Sequence, residues 1–195
     1  MTIKTRIIVI GIIFSVSMGY ILWDTLTPTA ETPSATPLAQ LQKRAQQGEA
    51  AAQYQLAAHY FNKGKAVAQD LTQAVNWIRQ AAQQNHAQAQ YTLAQMYREG
   101  KGVKQDSAQA YHWYQQAAEN NFLLAQYNLG VMRYRGDGVT QDVLQAYQWF
   151  AIVAAQGQKQ VEPLITQLKA QLSVTQRAQA EQFVRQWIQK NGHSS

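Results

Sequence analysis

The sequence predicts an all-α protein: an α/α solenoid of stacked helix–turn–helix repeats with helical caps, preceded by one N-terminal transmembrane helix. Three observations predict it. Residue types recur at a fixed step of 36, the composition favours helix, and the chain opens with a long apolar run. The recurrence is in five columns: Trp77, Trp113 and Trp149; Asp70, Asp106 and Asp142; Gly64, Gly100 and Gly136; Val67, Val103 and Val139; and Gln73-Ala74, Gln109-Ala110 and Gln145-Ala146. A constant period in this range marks stacked supersecondary units. Glutamine and alanine, both good helix formers, are abundant, while Val and Ile are few beyond the first 23 residues.

The chain begins with an address. Ile7 to Trp23 is uncharged, with Lys4 and Arg6 before it and Asp24 and Glu31 after it. Seventeen residues is at the short end of a membrane-spanning helix and longer than the usual apolar core of a cleaved signal. The basic flank puts the N-terminus in the cytoplasm and the remainder outside. Residues 1–24 therefore read as an inner-membrane anchor, the repeats lying in the periplasm. The alternative is a signal cut near Ser17-Met18-Gly19, which releases the same domain. Residues 25–37 (TLTPTAETPSATP) alternate proline with Thr, Ser and Ala, the composition of a semi-extended linker.

Residues 38–158 form the array. Leu38 to Gly48 reads as a lone second helix closing the N-terminal end, and the full units run over about 51–86, 87–122 and 123–158. In the second unit, Ala89, Leu93, Met96 and Tyr97 make a helical core stripe that stops at Gly100-Lys101-Gly102. The second helix opens at Asp106-Ser-Ala-Gln109, a capping box repeated at Asp70 and Asp142. Behind it, Ala110, Trp113 and Ala117 form the expected buried stripe, with one tryptophan filling the gap in each unit. Residues 159–195 break the period and read as capping helices, one around Pro163–Leu168 and one capped at Ser173 with Ala180, Phe183, Val184 and Trp187 inward.

The string Leu93, Tyr97, Gly100, Gly102, Val103, Asp106, Ala110, Trp113, Ala117 and Ala118 resembles the Sel1-like repeat, the relative of the tetratricopeptide repeat. Ala66 departs from it in the first unit, which also carries an extra residue near Asn62-Lys63; Arg133 and Val153 depart in the third. The resemblance implies a bacterial, membrane-anchored interaction module of the envelope: a scaffold, an adaptor, or an immunity-type inhibitor. It also implies that the first helices line a concave groove. The alternative function is a cell-wall-acting enzyme or peptidoglycan binder, as suggested for cysteine-rich relatives, but this chain has no cysteine.

No catalytic constellation emerges. His59, His86, His112 and His193 lack metal-ligand spacing, and the three periodic aspartates are explained as caps. No cofactor or small-molecule substrate is expected. The formal charge of +6 is not gathered into a basic run, so nucleic acid is not an expected partner either. The expected partner is a protein or peptide in the envelope, with the membrane engaged through residues 7–23. The candidate site is a second stripe on the first helices: Tyr54 and Phe61; Tyr91, Gln95 and Arg98; Tyr127 and Tyr134. These side chains either reach the groove or pack between units. Lys63, Lys65, Lys101, Lys104, Arg133 and Arg135 fall at the turns, as a basic edge or a solvated one.

Overall fold

The structure, a computed structural model, describes residues 36–63 and 68–191, without the side chains of 62, 63 and 68–70. The apolar segment 7–23, most of the linker, Gly64, Lys65, Ala66, Val67, His193 and the side chains of Lys63 and Asp70 lie outside the described residues. Among the described residues there is no strand, and no helix is long and apolar enough to cross a membrane.

The helices are α1 (Pro37–Gln46), α2 (Ala50–Lys63), α3 (Ala68–Gln83), α4 (Ala87–Glu99), α5 (Ser107–Glu119), α6 (Leu123–Arg135), α7 (Val143–Ala155), α8 (Glu162–Gln171) and α9 (Val174–Asn191); a 3-10 turn, Lys159–Val161, precedes α8. Each helix packs on the next along the chain as far as α8, and α7 also carries α9 across it. The pairs α2/α3, α4/α5 and α6/α7 are the three units. Because helices are apolar on one side only, each pair must hide its stripe against the following pair, and that stacking makes the array.

The turns repeat as closely as the helices. A left-handed residue stands at Gly48, Asn85, Asn121 and Gly157, once per unit, with φ between 60° and 91°. In each case the next backbone N–H reaches the carbonyl five residues back, for example His86 to Ala81 at 3.2 Å and Phe122 to Ala117 at 3.0 Å. This ends each second helix by the Schellman geometry. Gly138 is required for a different reason: a Cβ there would sit 2.4 Å from the Ser107 carbonyl, so the turn of the third unit lies directly on the start of α5.

Three details differ from the sequence-based expectation. Trp77 and Trp113 are only half-buried, and Trp149 is enclosed through Phe183 and Trp187 of α9. The large side chain that fills the second unit is Tyr114, with no exposure at all. It lies one residue along the helix, on the side that meets α4, and its counterparts are Ile78 and Phe150. In the third unit a glycine, Gly130, makes room for the Phe150 ring; a Cβ there would stand 2.9 Å from it. In the core stripe Ala89, Leu93 and Met96 are buried, but Tyr97 is half-exposed. The aspartate boxes, finally, form on one side only. Asp106 and Asp142 accept from the amides of Gln109 and Gln145 at 2.9 Å, but their own amides donate to the carbonyls of Tyr97 and Arg133. Among the described residues the reciprocal box closes only at Ser173 with Gln176.

Candidate partner-binding face

The first helices α2, α4 and α6 share one side of the array, and α8 continues that side. Gln167 of α8 donates to the Tyr134 hydroxyl at 3.4 Å, and Leu164 and Ile165 join the cluster around α6 and α7. The second stripe lies along this layer. Its upper position is held by Tyr54, Tyr91 and Tyr127, and the three rings have different surroundings.

Tyr54 stacks on His86, centroids 5.2 Å apart and planes 22° apart. Below it, Tyr54, Ala58 and Phe61 of α2 border a pocket of about 190 Å3 with Ile78 and Thr92. Tyr91 is half-buried, its ring 5.6 Å from Tyr114 and 4.9 Å from Phe122, and its hydroxyl accepts from Gln95 at 3.1 Å. Arg98 then donates to Asn128 on α6 at 3.2 Å and pairs with Glu99. The gap between α4 and α6 is thereby bridged by polar side chains rather than left open. Tyr127 meets Phe150 at 5.6 Å, but its other side is open and its exposure is 40%. It borders a pocket of about 250 Å3 with Leu124, Val161 and Leu164, where Leu124 is 52% exposed.

The basic turn residues are unequal. Arg133 is half-buried: its guanidinium lies 4.8 Å from the Tyr111 ring centre and donates to the Tyr111 hydroxyl at 2.9 Å and the Thr140 carbonyl at 3.3 Å. That makes it an internal brace. Lys101 places its ammonium 4.1 Å above the Phe61 ring, which couples the turn of the second unit to the first pocket. Lys104 and Arg135 are exposed. His86 caps α4 by accepting from the Ala89 amide at 3.2 Å, and His59 and His112 lie against Tyr60 and Trp113. Among the described residues no three His, Asp or Glu side chains converge as a metal site.

Two features carry the geometry without having been singled out in the sequence. The first is a buried glutamine ladder. Gln53, Gln90 and Gln126 donate to the carbonyls of Ala45, Ala82 and Ala118 in the preceding second helix, at 3.2, 3.1 and 3.4 Å. Each then accepts from Gln84, Asn120 or Gln156 of its own unit, at 2.7, 2.8 and 2.6 Å. A buried amide left unpaired costs about 1–3 kcal/mol, so this pairing specifies the spacing between units and holds the first-helix layer in register. The second is the column His86, Phe122 and Gln158, which decides whether a stripe tyrosine is covered.

Burial also sets the ionisation beneath the face. The Tyr114 phenol is pushed up to about 12, chiefly by burial, with Arg98 opposing. Burial likewise raises Tyr147, assisted by Glu181 of α9 and opposed by Arg177. Among the described residues the Tyr114 hydroxyl has no hydrogen-bond partner.

The Sel1 repeat model matches residues 50–86, 87–122 and 123–158. The crystal structure of a protective antigen present in uropathogenic Escherichia coli strains, displaying an SLR fold, is similar at 34% identity and a TM-score of 0.68, over 78% of this chain and 32% of that one. A Sel1 repeat protein from Oxalobacter formigenes is similar at 35% identity and a TM-score of 0.60, over 67% of this chain and 97% of that one. The present chain thus spans about a third of the length of the Escherichia coli antigen. No curated protein matches it.

Proposed function

The chain belongs to the Sel1 repeat family, and from that premise we propose that it is a non-catalytic binding module that grips a partner protein with the face built by α2, α4, α6 and α8. The observation that carries the reading is the unevenness of that face. His86 partly covers Tyr54 and Phe122 partly covers Tyr91, whereas Leu124 and Tyr127 stay open beside a pocket. Exposed aromatic and aliphatic anchors at a concavity are the usual hot-spot material of interfaces. In a Sel1-like array this is the concave side. The basic edge is secondary in this reading, because Arg133 is committed to Tyr111 and Lys101 to Phe61.

The same proposal sets the module in a bacterial envelope. Residues 7–23 hold it in the inner membrane with the repeats on the periplasmic side, or release it there if the segment is cut. The support is the apolar run with Lys4 and Arg6 before it and acidic residues after it.

Photo-crosslinking in cells tests the face. A benzophenone side chain placed at Tyr127 or Phe61 should capture a partner band, while one at His112, on the opposite layer, should not. Capture from His112 alone would place the interface elsewhere. A C-terminal alkaline phosphatase fusion tests the location, since it gains activity only outside the cytoplasm; an inactive phosphatase beside an active β-galactosidase fusion would refute it.

A further inference from the structure

The two pockets of the first-helix face are separated by a guanidinium, and this arrangement specifies more than an apolar contact. Resting on the reading of that face as the binding face, we infer that its occupant is an extended acidic segment of the partner, with two apolar anchors and its carboxylates between them, over Arg98.

Distance and charge carry the inference. One pocket lies between α2 and α4, at Phe61, and the other between α6 and α8, at Tyr127 and Leu124. Neighbouring helices in a layer stand about 10 Å apart, so the pockets are two steps, or about 20 Å, apart. An extended chain covers about 3.3 Å per residue, which sets the anchors about six residues apart. Between them the face carries Arg98, whose side chain is 43% exposed, and Lys101, whose ammonium lies over Phe61. The described side chains of α2 carry no charge, and α6 adds only the braced Arg133 and the exposed Arg135.

The acidic groups nearby are accounted for. Glu99 sits against Arg98, Asp106 and Asp142 cap helices, and Asp137 is at a turn. Glu162 starts α8 close to the second pocket, so carboxylates belong over Arg98 and an uncharged side chain belongs at Tyr127. Asn128 is a neutral amide oxygen on Arg98; a carboxylate makes a stronger, charge-assisted bond and displaces it. The apolar anchors supply affinity, and the central cation supplies specificity and encounter rate.

Panning a randomised peptide library against the full chain in detergent micelles tests this, with anisotropy of the selected peptides at low and high salt. The expected consensus is net acidic, with apolar residues about six apart, and binding weakens severalfold at high salt. Arg98→Gln should weaken it about tenfold and flatten the salt dependence, while Arg98→Lys keeps the salt dependence. Tyr127→Ala should weaken it about tenfold with the salt dependence intact. Circular dichroism establishes that each variant is folded. Neutral or basic consensus peptides, or an Arg98→Gln variant that binds normally while Tyr127→Ala does not, overturn the acidic occupant and leave the binding face standing. If Tyr127→Ala and Phe61→Ala both bind normally, the face itself is wrong. Absence of any enriched peptide overturns the extended segment, while the crosslinks from positions 61 and 127 still report on the face.

Discussion

Tyr91 and Tyr127 stand one period apart on equivalent helices, and among the side chains that differ around them one ring has the clearest effect. Phe122 lies 4.9 Å from the Tyr91 ring and leaves it half-buried, while the place of Phe122 one period later is held by Gln158, and Tyr127 keeps 40% of its surface exposed. The backbone is not the cause: φ and ψ are −80° and 106° at Phe122, and −84° and 80° at Gln158. The scaffold makes the same socket each time, and the residue that begins the next unit fills it or leaves it open. Because the fold itself rests on alanines, Leu56, Leu93, Leu129 and the glutamine ladder, that residue is free to vary without unmaking the array.

The largest effect should come from removing the ring beneath Tyr91. Tyr114 is fully buried, so Tyr114→Ala should cost about 3–5 kcal/mol, whereas Trp113→Ala, at a half-buried position, should cost about half of that. Denaturant melts of the two variants decide it. A larger loss from Trp113→Ala would mean that the recurring tryptophan, not the tyrosine, supports the unit.

Next in size is uncovering Tyr91. Phe122→Gln copies the third unit into the second, and it loses the contact with Tyr91 and the cluster around Tyr114. The expected loss is about 2 kcal/mol, for a half-buried aromatic exchanged for a polar side chain of smaller apolar area. A melt unchanged from the parent would show that the contact of Phe122 with Tyr91 does not support the unit.

How much of this was legible in the sequence follows from what a period reveals. Identity columns located the glycine turns and the helix starts at Asp106 and Asp142, and with them the pairing of helices. Tyr114 was hidden because its column, Ile78 and Phe150, repeats bulk rather than identity, and the tryptophan beside it repeats identity. The glutamine ladder was hidden for another reason. In a chain so rich in glutamine, Gln90 reads as a solvated helix residue, although it accepts from Asn120 and donates to Ala82 in the interior. The stripe of tyrosines was visible from helical spacing, but which of them is open depends on a residue about 31 positions away, as 91 to 122 and 127 to 158 show. Helical periodicity does not reach that far.

Another effect should appear only in alkali. The Tyr114 phenol ionises near 10 in the unfolded chain and near 12 in the folded one. Below pH 10 both states are neutral and the stability is complete; between pH 10 and 12 the unfolded chain loses its proton first, so stability falls as pH rises, by at most about 1.4 kcal/mol per unit. Tyr114→Phe should remove most of that fall, leaving the smaller share from Tyr147, and should cost little at neutral pH because the lost hydroxyl has no partner. An alkaline profile identical to the parent's would place the titrating group elsewhere.

The smallest change in stability tests the comparison most directly. Gln158→Phe gives the third unit the ring that the second has. The backbone there already resembles that at Phe122, and the side chain it replaces accepts only a surface bond from Gln160 at 2.8 Å. A phenylalanine would lie against Tyr127 and occupy the pocket bordered by Leu124 and Leu164. An aromatic pair contributes about 0.5–1.5 kcal/mol, and ordering the side chain takes part of it back, so the variant should be stabilised by about 0.5 kcal/mol. Partner capture through position 127 should nevertheless fall by about tenfold, because the anchor site is filled from within. The two readouts move in opposite directions, which no general loss of folding can imitate. A destabilised variant would show that the two sockets are not equivalent, and a stabilised variant with undiminished capture would show that the partner binds elsewhere than at Tyr127.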